Sequence, residues 1–218
     1  MLREFVKYPI YDRKAVRAMV SAADKPYEQP EGLHEGLPED MRPENTCFFT
    51  GHRFLSEDQK KRMYPSLVRL ILRMEEEGVR YFCNGGAMGF DLFSARTVVL
   101  LRQEFDRDVR LVMALPCRDQ TARWLYGKNG LENIRLYHGI KAHAQAVVYM
   151  RDFYTDGCML ERNRYMMEHS GQCIAFWNGS ARGGTAHTVR ITRAAGVPVW
   201  NVYPAVLEGG EAELLPKL

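Results

Sequence analysis

Two short stretches concentrate residues able to hold an anion. The first, CNGGAMGFD at 83–91, carries Gly85, Gly86 and Gly89, with Met88 and Asp91 beside them. The second, NGSARGGT at 178–185, closes on Gly183, Gly184 and Thr185. Each runs from an apolar stretch straight into a helix-like one. Glycine lets backbone N–H groups approach a ligand, and a helix N-terminus adds about half a positive charge. Together they form a cradle for an anion, most often phosphate. Further candidates follow other apolar runs: Gly51-His52-Arg53, Arg118, Arg151-Asp152 and Arg182. Thr185 offers a hydroxyl donor, and Arg53, Arg118 or Arg182 a neutralising charge.

Each candidate also has an ordinary structural explanation. His52 suits a turn or a helix cap. Asp91 near a helix N-terminus is favourable without any ligand; beside a phosphate it would suit ribose hydroxyls or hold a neighbouring loop. Arg162 and Asn163 fall on a helix, where a solvated face and a site role are equally open. Trp124 either stacks a base or anchors the connection it sits in. His138 and His143 lack ligand spacing, so no metal is assigned. No lysine follows the second glycine turn as GxxxxGK[ST] would need, and GxGxxG with a distant acid is absent.

These residues need elements to position them, and the apolar pattern supplies them. Nearly continuous apolar runs predict strands at 46–51, 79–86, 109–116, 146–150, 171–179 and 197–204. Between them lie helical patterns. The first opens on a capping box, Ser56 with Gln59, and presents Met63, Leu67, Leu70, Ile71 and Met74 on one face before Gly78 ends it. Pro65 inside that pattern predicts a kink or a restart. Further helices are expected at 88–105, within 119–145, within 157–170 and at 183–196. Strands alternating with helices indicate an α/β fold, a doubly wound and mostly parallel Rossmann-like sheet with helices on both faces. Ligands in such sheets sit beyond the carboxyl ends of the strands, where these candidates fall.

The 218 residues divide into an N-terminal extension at 1–45, the alternating domain at 46–204 and a C-terminal tail at 205–218. The extension holds a short helical pattern before 24 and then a proline- and acid-rich linker or arm. A formal charge of +3 without a basic run makes a nucleic-acid partner an unfavoured reading. Apolar runs fall short of the roughly 18 residues needed to span a bilayer, and the N-terminus lacks a signal peptide's apolar core. The five cysteines are scattered and never paired as CxxC. Together these features predict a cytoplasmic protein with neither disulfide framework nor structural zinc. Trp200 and Tyr203 on the last strand suit either core packing or the face of a homo-oligomer.

A strand ending in TGHR (50–53), a second ending in GGAMGFD (85–91) and a late GGT (183–185) opening a helix resemble the SLOG superfamily. That group includes DprA-like proteins and the LOG phosphoribohydrolases. ERNRYMMEHSGQCIAFWNG (161–179), with its RN pair before a strand, is similar to the YpsA-like branch. The resemblance spans roughly 46–204. It implies a Rossmann-like sheet binding a nucleotide or nucleotide-derived ligand at Gly51, His52, Arg53, Gly85, Gly86, Met88, Gly89, Asp91, Arg162, Asn163, Gly183, Gly184 and Thr185. The ligand class would be ADP-ribose, NAD or a nucleoside monophosphate. LOG enzymes carry GGxGTxxE, and the glutamate position falls here on Thr188. The leading expectation is therefore a sensor or binding protein. A nucleotide N-glycosidase using Asp91 or His187 is the alternative, and single-stranded DNA binding a third.

Overall fold

Helices and strands alternate along the chain in this computed structural model, which describes residues 34–125, 129–207 and 210–217. In order they are β1 (His34–Glu35), β2 (Thr46–Gly51), α1 (Glu57–Glu76), β3 (Tyr81–Asn84), α2 (Phe90–Phe105), β4 (Arg110–Leu115), α3 (Gly130–Ala142), β5 (Ala146–Tyr149), α4 (Cys158–Glu168), β6 (Gln172–Phe176), α5 (Gly184–Ala194), β7 (Val199–Asn201) and β8 (Glu213–Leu214). The strands form one sheet in the order β1-β5-β4-β3-β2-β6-β7-β8. All neighbours are parallel except β7 and β8. This is the mostly parallel, doubly wound α/β architecture expected from the alternating pattern.

Strand alternation divides the core between two faces. Phe49, Phe82, Met113 and Ile174 pack on one side with α1, α2 and α3. Phe48, Cys83, Val112 and Cys173 pack on the other with Met166 of α4 and Val189 of α5. Successive side chains of a strand point to opposite faces, so a strand buried on both must be apolar throughout.

Local chemistry sets the ends of α1. Ser56 and Gln59 form the reciprocal capping box, with Gln59 N–H donating to Ser56 Oγ at 3.1 Å and Ser56 N–H to Gln59 Oε1 at 2.9 Å. At the other end Gly78 adopts φ +100°, Val79 N–H donates to Met74 O and Gly78 N–H to Glu75 O. That pair of bonds is a Schellman closure. Of the kink or restart expected at Pro65 the restart does not occur: α1 is one continuous helix through it. Proline costs the helix one donor, and buried residues on both sides of it, from Met63 to Met74, anchor the helix against the core.

Segments on both sides of residues 46–204 add strands to the sheet. Residues 34–35, read as part of a linker, pair with Ala146 and Val147 of β5 as an edge strand. Met41 is buried, and Asp40 accepts a hydrogen bond from Tyr81 Oη at 2.5 Å. In the tail, β8 covers the outer edge of β7, and Arg193 Nε donates to Pro216 O at 2.6 Å. Two-residue edge strands pair through backbone alone, so they leave no periodic side-chain signal. The helix expected before residue 24 lies outside the described residues.

Candidate functional site

The strand order reverses between β2, which starts the domain, and β6, its neighbour on the other side. Ligands of open α/β sheets bind at such a switch point, outside the carboxyl ends of the strands. His52 bridges the two strand ends here. Its Nε2 accepts from Asn178 N–H at 3.2 Å, its carbonyl accepts from Phe90 N–H at 3.1 Å, and its ring meets Phe176 edge-on. Burial lowers its pKa from the usual 6.5, so the ring is neutral near pH 7. Gly51 is glycine for a packing reason, since a Cβ would come within 2.5 Å of Phe90 Cδ1.

The first glycine turn is largely self-satisfied. Gly86 N–H donates to Asn84 Oδ1 at 2.8 Å, and Ala87 N–H to Asp91 Oδ2 at 3.2 Å. Gly86 and Gly89 take φ +63° and +82°, which bulkier residues rarely adopt. Gly89 also lies against the backbone of His52 and Arg53, leaving no room for a Cβ. Met88 Sδ accepts from Asn133 Nδ2 at 3.6 Å. Asn84, buried at the end of β3, further donates to Asp91 O at 2.9 Å.

Beneath this turn lies a buried ion pair. Arg162 Nη1 stands 3.6 Å from Asp91 Oδ2, with the two side chains 5% and 7% exposed. A Cβ on Gly85 would coincide with that guanidinium. Burial pushes the Asp91 carboxyl up to about 6, against the opposing pull of Arg162, the Ala87 amide and Arg53. Burial likewise lowers the Arg162 pKa, with Asp91 opposing. The pair is long for a charge-assisted hydrogen bond. Arg162 Nε and Nη1 have no hydrogen-bond partner among the described residues. Leaving buried donors unsatisfied costs about 1–3 kcal/mol each.

The second glycine turn differs. Gly183, at φ +100°, caps α5, and Gly184 opens it; both are exposed, and a Cβ added to either would meet nothing within 4 Å. Asn163 reaches α5 from α4, donating from Nδ2 to Thr188 Oγ1 at 2.8 Å, while Thr188 donates to Gly184 O at 2.9 Å. Thr185 is half-buried on the first turn. His187 meets only its helix neighbour Arg190, at 3.2 Å, among the contacts described.

The remaining candidates separate. Arg53 and Arg182 are exposed; Arg53 acts electrostatically on both Asp91 and Arg162. Arg118 lies over the Tyr149 ring at 4.3 Å and pairs with Asp152 at 3.2 Å, which ties the loops after β4 and β5 together. Trp124 is buried edge-on against Tyr137 and so anchors its connection. Among the described residues no cluster of His, Cys, Asp or Glu could hold a metal, and no helix is long and apolar enough to cross a membrane. The five cysteines are free and buried.

Asn84 and Gln120 were missed from sequence. An asparagine just before two glycines is a turn signal that would have found Asn84. Nothing local marks Gln120, which reaches the turn from the loop after β4, donating to Gly86 O at 2.8 Å.

Comparison with known proteins adds to this geometry. The YpsA family model, described as the YspA SLOG family, matches residues 50–196. A UPF0398 protein of Bacillus pumilus is 24% identical over 126 residues, covering 57% of this chain and 64% of its own length. A second, from Halalkalibacterium halodurans, is 22% identical over 125 residues, covering 56% and 63%. The chain thus matches a little under two thirds of these relatives' lengths. Among solved structures, DNA processing protein A from Helicobacter pylori, described for its single-stranded DNA binding mode, aligns with 72% of this chain and 64% of its own at 16% identity, with a TM-score of 0.45.

Proposed function

The chain belongs to this YpsA family of SLOG proteins, and we propose that it binds a nucleotide or nucleotide-derived phosphorylated ligand at the carboxyl edge of its sheet, as a cytoplasmic bacterial sensor or binding protein. One observation carries this reading: Arg162, 4% exposed, keeps two guanidinium nitrogens without a hydrogen-bond partner among the described residues, directly against Gly85. An arginine whose charge is only loosely met by Asp91 at 3.6 Å suits an incoming anion better than a structural pair. The uncrowded Gly183–Gly184 start of α5 supports it, since exposed amides and the helix dipole favour phosphate. Arg53 and Thr185 add a charge and a hydroxyl at the same edge. ADP-ribose, NAD and nucleoside monophosphates are the ligand classes of this proposal.

Hydrolysis of the base–ribose bond is less well supported. The position of the glutamate in LOG enzymes is Thr188, fully buried and engaged with Asn163 and Gly184. Asp91 is buried against Arg162, and the contact described for His187 is with Arg190 on its own helix.

A thermal-shift screen tests the proposal. The panel holds AMP, ADP, ADP-ribose, NAD, cyclic nucleotides, ribose 5-phosphate and a single-stranded oligonucleotide, with chromatography of each mixture. A ligand at 100 times its Kd stabilises by about 2.7 kcal/mol, roughly 5–10 °C for a chain of this size. A shift with the nucleotide recovered intact is expected. Released base would make the protein an enzyme, and a shift with the oligonucleotide alone would overturn the small-ligand reading.

A further inference from the structure

The Gly85–Gly86 turn is gripped from two sides. On one side the Arg162 guanidinium fills the space a Gly85 side chain would need. On the other, the Gln120 amide donates from Nε2 to Gly86 O at 2.8 Å and to Gly85 O at 3.4 Å. Those two carbonyls fix the orientation of the amide, because a flipped group would set its oxygen against two acceptors. Gln120 Oε1 is thereby left buried with no hydrogen-bond partner among the described residues, in a side chain belonging to a residue 5% exposed. Two side chains that keep buried polar atoms without a hydrogen-bond partner among the described residues thus border one turn, Arg162 at Gly85 and Gln120 at Gly85 and Gly86.

We infer that Gln120 is a specificity-determining residue of this site, its Oε1 accepting a hydrogen bond from a hydroxyl or N–H of the ligand whose anionic group Arg162 takes. The inference rests on the phosphate-binding reading above and narrows it. The ligand carries a donor separate from its charged group, as the ribose or base of a nucleotide does and inorganic phosphate, whose O–H groups belong to the anion itself, does not. Both partners are shielded from solvent, so the ligand's donor reaches Oε1 as neighbouring side chains move aside while the Gln120 amide keeps its bonds to Gly85 and Gly86. A site built around a buried acceptor rejects analogues that lack the matching donor, because the acceptor is then left unpaired again.

Calorimetric titration of the full chain tests this with AMP, 2′-deoxy-AMP, 3′-deoxy-AMP, purine riboside 5′-monophosphate and inorganic phosphate. Each nucleotide analogue deletes one donor. One of them is expected to bind about tenfold or more weakly than AMP to the wild type. Gln120→Met is expected to bind AMP and that analogue alike. Should the methionine variant fail to fold, Gln120→Glu titrated at about pH 5, where a buried carboxyl is protonated and keeps both a donor for Gly86 O and an acceptor, must preserve the discrimination. Equal wild-type affinity for AMP and all three analogues overturns the role of Gln120 while the binding proposal stands, as does discrimination that survives in Gln120→Met. Absence of binding by every probe overturns both.

Discussion

The guanidinium of Arg162 occupies the space in which a side chain on Gly85 would have to lie. Gly85 therefore serves a cation arriving from α4, and its turn is not the open amide cradle that two adjacent glycines suggest. The amides of Gly86 and Ala87 are spent on Asn84 and Asp91. The uncrowded cradle is the one at Gly183 and Gly184. The two turns divide the work: one seats a buried charge, the other leaves a helix start exposed.

Alanine at the two turns should separate these roles. Gly85→Ala must displace Arg162 and is expected to cost about 1–3 kcal/mol in urea unfolding, as overpacking does. Gly184→Ala meets nothing within 4 Å and should stay within about 0.5 kcal/mol of wild type. Equal losses would mean that Arg162 moves aside freely.

Asp91 sets a pH dependence. Its folded-state pKa, about 6, lies above the ordinary 3.8, so the native state holds a proton that the unfolded chain has released. The associated stability is complete below pH 3.8 and is lost as pH rises through about 6. A shift of two units corresponds to about 3 kcal/mol. Asp91→Asn should therefore gain on wild type between these limits and run parallel above them, read from urea midpoints across pH. Parallel curves throughout would show that Arg162 holds the carboxylate at its ordinary pKa.

His52 works in the opposite direction. Burial depresses its pKa below 6.5, so the neutral ring stabilises the fold above that value and the contribution fades as pH falls. Protonation removes the acceptor that Asn178 N–H uses. Hydrogen exchange at Asn178, corrected for intrinsic rate, should be slow at neutral pH and faster at a pH below the depressed pKa. In His52→Ala the amide should be unprotected at both. Protection that ignores both pH and the mutation would place the link between β2 and β6 elsewhere.

Thr188→Glu probes the lost acid of the LOG motif. Thr188 is fully buried and its hydroxyl serves Gly184 and Asn163. A glutamate there loses both bonds and buries a carboxylate, so a destabilisation of about 2 kcal/mol or more is expected without release of base from AMP. Base release by this variant would mean that the site already holds the rest of a hydrolase.

Apolar runs punctuated by glycine determined the fold class, because backbone hydrogen bonding and burial on both faces of a sheet demand that pattern wherever it occurs. They also determined where chemistry would gather, since the doubly wound sheet presents its strand ends at one edge. The Ser56 cap and the Gly78 stop were legible for the same reason: each is satisfied within a few residues. Tertiary structure alone decided what the polar residues do there. It set Arg162 under Gly85, buried Asp91 beside it, brought Gln120 to the same turn and added residues 34–35 to the sheet edge. Those outcomes depend on how side chains from separate elements share one volume, and on the desolvation that follows, which no local spacing along the chain encodes.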